Sequence, residues 1–593
     1  MAPTTPSSHR PRKRRRYPTG SNNSLILEAE GGKSSPAFPL VSFLWAARAG
    51  VSQWLVLPLI LMVVGLFRWA VSLWGYSGFQ VPPMHGDFEA QRHWMELTIH
   101  LPMSKWYLYD LQYWGLDYPP LTAYHSWLLG KISGSVLDPS WFALDDSRGF
   151  EDPKLKVFMR GTVIASEYLV YIPAVVNFLR RYTRMQGVPA WSASIALVAI
   201  LLQPATILID HGHFQYNTVM LGLVVASLDA ILAGRMLWAC LFFVGALGFK
   251  QMALYYAPVM FAFLLGVCIF PRVRILRLLN IAIITILAFA LLFTPLLVAA
   301  TNADARDYLS ASAEPPLLQA LPIKLSKDSF LYAPVFQLMQ IIHRVFPFAR
   351  GLFEDKVANA WCAIHTFYKL HRFEASLLQR VSLGATLASI LIPCGIIFRH
   401  PRASLLLPTL ASVAWGFFLF SFQVHEKSVL LPLLPMTLLL ANDGGLSKDT
   451  RAWVGWANVL GSWTMYPLLK RDELRVPYFV MTGLWAYLMG LPPTSLETYR
   501  SRTPGGESRP VSEPRILTKL LHFCFYLAMI VWHVLDAFVP PPEGKPDLWV
   551  VLNVLIGAGG FGIAYLWCMW RLITQCWQID RKAAEEESRK KKE

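Results

Sequence analysis

LLNIAIITILAFALLFTPLLVAA, residues 278–300, carries no charged side chain from end to end. As a helix rising 1.5 Å per residue, it is long enough for the ~30 Å hydrocarbon layer of a bilayer. Similar runs lie on both sides of it, at about 54–74, 157–178, 189–209, 218–233, 236–249, 252–270, 382–398, 403–422, 428–441, 452–469, 476–492, 516–538 and 548–570. The pattern predicts an all-α polytopic membrane protein with about fourteen transmembrane helices. Several runs are shorter than the ~20 residues of a straight span.

Composition points the same way. The 593 residues are 54% hydrophobic and 16% charged, where soluble chains carry about 25% charge. Mean hydropathy is +0.39. A water-soluble surface needs more charge than this, so disordered, collagen-like, coiled-coil and small disulfide-stapled classes are excluded. The seven cysteines include no C-x-x-C pair and lie mostly in apolar runs, which predicts neither a disulfide framework nor a zinc site. No phosphate-cradling glycine loop of the G-x-x-x-x-G-K-[ST] or G-x-G-x-x-G type occurs, so no nucleotide-binding loop is expected.

The formal net charge is +16, with basic clusters at Arg10–Arg16 and Lys590–Lys592. The first cluster resembles a nuclear-localisation or nucleic-acid patch, but the apolar run that follows makes it a cytosolic flank under the positive-inside rule. No nucleic-acid partner is expected. Residues 1–50 read as a disordered basic cytosolic tail, 51–575 as the membrane domain, and 576–593 as a basic cytosolic tail with a dilysine-like end. With the N-terminus cytosolic, the arginines at 180–184, 272–277 and 399–402 fall on the cytosolic side, and Lys470-Arg471 is an exception. The other side receives two long loops, near 75–156 and 301–381. It also receives the polar segments 210–217, Phe249-Lys250-Gln251 and His425-Glu426-Lys427. None of these set the orientation, so their convergence on one face points to one site.

In the first long loop, Asp87 stands near the start of a predicted helix. It reads either as an N-cap or as a general base at a membrane surface. Pro119-Pro120 places Asp117 beside a fixed bend. The aromatics Trp106, Tyr107, Tyr109, Tyr113, Trp114 and Tyr118 fit an interfacial belt or a sugar-stacking surface. Asp210-His211-Gly212-His213 offers metal-type donors, but its spacing matches no strong zinc pattern, and polar cavity contacts are the expectation. His425-Glu426-Lys427 is either a snorkelling lysine with its neighbouring acid or a site for a membrane-embedded phosphate. Arg160 and Glu167, seven residues apart, share a helical face and are expected to pair. Arg344, Arg350, Glu354, Asp355 and Lys356 read as surface charge, with a basic group able to reach a phosphate from the opposite wall.

Four motifs together, GDFEAQRHWME (86–96), YWGLDYPPLTA (113–123), DHGHFQYN (210–217) and VHEK (424–427), resemble the dolichyl-phosphate-glucose-dependent glucosyltransferases of the endoplasmic reticulum, over roughly residues 50–575. The resemblance implies a GT-C fold with amphipathic luminal-loop helices and a luminal active site in the endoplasmic reticulum membrane. It implies inverting transfer of glucose from dolichyl phosphate glucose to the terminal mannose of Man9GlcNAc2-diphosphodolichol, forming an α-1,3 glucoside. Asp87 maps to the general base and His425 to the donor phosphate. Lys427 and Arg344 are further candidates for that phosphate. Glu89, Asp117, Asp210, His211, His213, Gln215 and Lys250 are candidate substrate-binding residues. No metal and no cofactor is implied. The rival readings are the sister enzyme that adds the second glucose, a polytopic transporter of lipid-linked sugars, and a non-catalytic lipid-binding scaffold.

Overall fold

Each of the fourteen apolar runs lies on helix. The computed structural model describes residues 25–28, 34–48, 53–322, 324–346, 356–500 and 513–592. Among the described residues, seven helical stretches are long and apolar enough to cross a membrane: Pro153–Gln186, Gln251–Ile269, Ile275–Ala299, Ala375–Arg399, Ala403–Phe420, Ile516–Phe538 and Leu548–Ser588. Ala190–Leu201 and Pro204–Phe214 make an eighth if counted as one span bent by 42°. Val56–Ser72, Asn217–Leu232 and Met236–Phe249 are shorter apolar helices. The remaining runs form Leu430–Leu438, Lys448–Thr464 with Tyr466–Arg471, and Arg475–Met489. Seven or eight helices thus reach membrane length where the sequence predicts about fourteen spans. Breaks beside Pro204 and Pro467 account for part of the difference, since proline cannot donate to the preceding turn. This set of apolar helices makes the chain a membrane protein.

The outer helices show apolar side chains to their surroundings. Leu276 and Leu291 on Ile275–Ala299 are 78% and 77% exposed. A continuous apolar surface of this kind suits lipid rather than water. The interior is filled by large rings, among them Trp415, Trp456, Trp463 and Trp485, all fully buried. Among the described residues, Cys240, Cys268, Cys394, Cys524, Cys568 and Cys576 form no disulfide.

Disorder was expected through residues 1–50. The Arg10–Arg16 cluster and residues 1–24, 29–33 and 49–50 lie outside the described residues, as do Arg350, Glu354 and Asp355. Over 25–28 and 34–48 the expectation fails. Ile26–Glu28 pairs antiparallel with Ser34–Pro36, and Leu25, Phe38, Leu40 and Val41 are buried. The Arg451 guanidinium lies 3.7 Å over the Phe38 ring. Burial of four apolar side chains and this cation–π contact offset the entropy of ordering a short segment. At the other end, Leu548–Lys592 is one helix, so the basic tail from 576 to 592 continues it.

Buried charges inside the bundle meet other partners than the sequence suggests. Glu167 faces the Gln53–Ser72 helix and accepts two hydrogen bonds from Arg68, both 2.7 Å, and one contact from His211. Arg160 does not meet Glu167. Its guanidinium instead donates to the carbonyls of Gly75 at 2.9 Å and Gly212 at 2.7 Å. A shared helical face was not enough, because each side chain found a better fork on a neighbouring segment.

Removing one member of a buried ion pair strands the other. Glu167→Ala is therefore expected to destabilise the protein by about 3–5 kcal/mol. The measurement is the unfolding midpoint of the detergent-solubilised protein, and an unchanged midpoint would contradict the pairing.

Candidate functional site

The first long loop begins with two turns packed backbone to backbone. Gly78 has φ +81°, and a Cβ on it would stand 2.0 Å from the His85 carbonyl carbon. Only glycine admits that approach. His85, itself left-handed at φ +56°, then starts the helix Gly86–His100. The N-cap position belongs to His85, so the N-cap reading of Asp87 is corrected. Asp87 lies in the first turn, its backbone N–H donating to Ser77 Oγ at 3.2 Å. Its side chain is left to face the interior of the site.

Three donors meet that side chain on one oxygen. His213 Nε2 lies 2.8 Å from Asp87 Oδ2, Gln215 Nε2 donates to it at 2.6 Å, and Lys427 Nζ donates to it as well. Asp87 Oδ1 accepts no hydrogen bond from the described residues, and the side chain is 20% exposed. The carboxylate is thus anchored by one oxygen and open at the other. Burial pushes the Asp87 carboxyl up, but the Lys427 charge and the His213 hydrogen bond outweigh it and hold it well below the usual carboxylate range.

The donors arrive from two distant segments. His213 and Gln215 come from Leu208–Phe214 and the extended residue after it. The widened π-type turn there is closed by the Gln215 N–H on the Asp210 carbonyl at 3.3 Å. Such turns aim side chains that a regular helix cannot. Lys427 comes from the short turn Glu426–Val429, opened by His425, whose backbone N–H meets Ser428 Oγ at 3.3 Å. From this turn the Lys427 ammonium reaches Asp87 in the first loop. Lys250, between Met236–Phe249 and Gln251–Tyr256, donates to Gln215 Oε1 at 2.9 Å and Asn217 Oδ1 at 2.7 Å. Its ammonium lies 4.8 Å over the Tyr118 ring.

Other residues singled out in the sequence support this centre from outside. Asp210 is buried against Asn217 Nδ2 and the Thr218 N–H, and His211 is buried against Glu167. With His213 turned toward Asp87, these three point to separate partners and do not converge on a common ion. Glu89 forms a two-pronged pair with Arg92 and accepts from Tyr113 at 2.9 Å. Asp117 stands within electrostatic reach of Tyr107 and Lys250. Arg344, on Tyr332–Val345 of the second loop, donates to the carbonyls of Gly115 at 2.7 Å and Leu116 at 3.2 Å. Gln340 does the same to Tyr107 at 2.9 Å. The second loop thereby roofs the first.

Trp106 and Tyr107 are buried in the loop's own core, which removes them from any sugar-stacking surface. Tyr109, Tyr113, Trp114 and Tyr118 keep partial exposure. Asp472 was missed. It lies behind His213, its Oδ2 on Nδ1, and is 2% exposed at the side chain. The sequence signal was the acid at 472 beside Lys470-Arg471, where basic residues broke the charge rule. Lys470 is neutralised there by Asp536, both oxygens at 2.8 Å.

Arg92 ties the first-loop helix together, reaching Glu89, Glu96 and Ser147. Burial raises the Glu96 carboxyl, but hydrogen bonding to His93 and the Arg92 charge bring it down to about 2. Its folded value thus lies below its unfolded one. Its contribution to stability is complete above the unfolded pKa near 4.5 and is lost as pH falls through about 2. The stability gap between wild type and Glu96→Gln is expected to be constant above pH ~5 and to shrink toward pH ~2 in detergent unfolding curves. A gap independent of pH would contradict the pairing.

Comparison with known proteins identifies relatives of the chain. A family model described as the ALG6, ALG8 glycosyltransferase family matches residues 64–310 and 322–570. A Saccharomyces cerevisiae protein named dolichyl pyrophosphate Man9GlcNAc2 alpha-1,3-glucosyltransferase is 43% identical over 567 residues, covering 93% of this chain and 97% of that protein. Proteins of the same name from Rattus norvegicus and Gallus gallus are 36% and 34% identical, covering 86% and 87% of this chain and 95% and 98% of their own lengths. The first long loop, most of the second, the 210–217 segment and the 424–427 turn lie within the matched ranges, and the chain belongs to the ALG6, ALG8 glycosyltransferase family.

Proposed function

We propose that the protein transfers glucose from dolichyl phosphate glucose to the terminal mannose of Man9GlcNAc2-diphosphodolichol, with inversion, forming an α-1,3 glucoside. The single observation that carries this reading is the Asp87 carboxylate, anchored through Oδ2 and open at Oδ1. An attacking sugar hydroxyl needs a base as its bond to C1 forms, and a fixed, ionised carboxylate with one oxygen left open meets that need. The acceptor and linkage follow the names of the relatives. The donor follows the motif resemblance.

The hydroxyl proton passes to Asp87 Oδ1 while the oxygen bonds to C1 of glucose. The C1–O bond to phosphate breaks on the opposite side, and its electron pair leaves with dolichyl phosphate. Charge then grows on the phosphate, where Lys427, His425 and Arg344 supply cationic or hydrogen-bonding groups. The departing phosphate is a stable anion, so a second carboxylic acid of the glycosidase type is unnecessary. His213 and Gln215 touch the base, Lys250 touches Gln215 and Asp117 lies near Lys250; these four are the substrate contacts in this reading. Glu89, Asp210 and His211, bonded to protein neighbours, hold that wall.

Both substrates carry polyprenyl chains, which accounts for a catalyst set among apolar helices. The reading places the protein in the endoplasmic reticulum membrane with a GT-C fold, the site luminal and both termini cytosolic.

Asp87→Asn is expected to lower transfer by about 10²–10⁴-fold while the purified protein still folds and binds donor. Retained transfer would remove Asp87 as the base. His425→Ala is expected to slow transfer at limiting dolichyl phosphate glucose and to matter less at saturation. An unchanged rate at limiting donor would place His425 outside the donor site.

A further inference from the structure

Behind the proposed base stands a second carboxylate that the reaction scheme does not use. Asp472 Oδ2 contacts His213 Nδ1, and His213 Nε2 lies 2.8 Å from Asp87 Oδ2. The imidazole is thus held between two carboxylate oxygens. A neutral imidazole carries one N–H and one lone pair, so it can donate to only one of them. Its other nitrogen would then turn a lone pair on a carboxylate lone pair at hydrogen-bond distance. With both carboxyls ionised, only the imidazolium satisfies both contacts.

The surroundings keep Asp472 in place. A Cβ on Gly75 would stand 2.6 Å from the Asp472 carbonyl oxygen, so the absence of a side chain there lets the two segments touch. Arg160 clamps Gly75 to Gly212, and the Ser77 N–H donates to the His213 carbonyl at 3.0 Å. Four charged groups bear on His213: Asp87 from the first loop, Asp472 from the 472–474 turn, Lys427 at 3.2 Å from Nε2, and Arg160 through the Gly212 carbonyl. Lys427 disfavours a second cation beside it. Asp472 supplies the compensating negative charge from the side Asp87 does not reach.

We propose that Asp472 is a positioning residue for glucosyl transfer: it holds His213 as a fixed imidazolium whose Nε2–H anchors Asp87 Oδ2 and keeps Oδ1 turned to the acceptor. The inference rests on Asp87 being the base. It also gives the site a reserve cation. When a donor phosphate draws Lys427 toward itself, His213 remains to hold the carboxylate in orientation.

The test compares wild type, Asp472→Asn, Asp472→Glu and Asp87→Asn in purified full-length protein, with dolichyl phosphate glucose and a synthetic mannose-terminated acceptor. Asp472→Asn keeps the shape and removes the charge. Its kcat is expected to fall about tenfold to a hundredfold, the range for a group that orients a catalytic partner. KM for donor should change less than about twofold, as expected for an interaction made only in the transition state. Without the Asp472 charge the imidazolium loses its proton at lower pH, so the alkaline fall of kcat should begin at lower pH than in wild type. Asp472→Glu restores the charge and should restore that limb, even where kcat recovers only in part. A change in unfolding midpoint alone, with the alkaline limb in its wild-type place, would overturn the proposal, as would wild-type kcat in Asp472→Asn. If Asp472→Asn does not fold, the limb of Asp472→Glu decides: a limb displaced despite the retained charge overturns the proposal, and one in place supports it. Should Asp87→Asn remain active, the base reading itself falls. Should Asp87→Asn be inactive while Asp472→Asn matches wild type, only the present inference falls.

Discussion

A carboxylate among apolar helices persists as an anion only where positive charge or donated hydrogens replace the water it gave up. At Asp87 that replacement is one-sided, since Lys427, His213 and Gln215 all address Oδ2. The rest of the site follows from this constraint. The π-type turn at 208–214 exists to bring His213 and Gln215 to one oxygen, and the 426–429 turn brings Lys427 to the same place. The Gly78–His85 crossing decides where the carboxylate starts. What results is a charged group with one end fixed and the other available.

A second layer of buried polarity keeps that arrangement rigid. Arg68, Glu167 and His211 lock the Gln53–Ser72 helix to the start of the π-type turn, and Arg160 stitches residue 75 to residue 212. In the first loop, Arg92 gathers Glu89, Glu96 and Ser147 under the helix that bears Asp87. None of these groups faces the open oxygen. Isolated charges at such depth are costly, and here Arg68, Glu167 and Arg92 are met by opposite charge while Arg160 is met by backbone carbonyls.

Much of this was legible from residue order. Long apolar runs fix helices wherever they occur, and all fourteen did so, because hydrocarbon tolerates no unsatisfied backbone. The site segments were legible because polar residues in an apolar chain stand out, and Asp87, His213, Gln215, Lys250 and Lys427 do converge. Pairings were less legible. Arg160 and Glu167 share a face by periodicity, yet long-range partners decided both. Asp472 escaped notice because its meaning depends on a contact with His213 that no local pattern encodes. The buried segment before residue 48 escaped for a similar reason: its polar composition hides four apolar side chains whose partner surface includes Arg451.

The roof of the site joins stretches made at very different moments of synthesis. Lys427 meets Asp87 across 340 positions of chain, and Asp472 meets His213 across 259. A ribosome adding about 5–20 residues per second therefore leaves the growing polypeptide for tens of seconds with an acidic side chain lacking its lysine. In that interval Asp87 has His213 and Gln215 in the chain already made, but Lys427 is added only in the last third of translation. Assembly is consequently all-or-none in time: a fragment ending before residue 427 holds the base without its counter-charge, and the finished fold alone sets the two together.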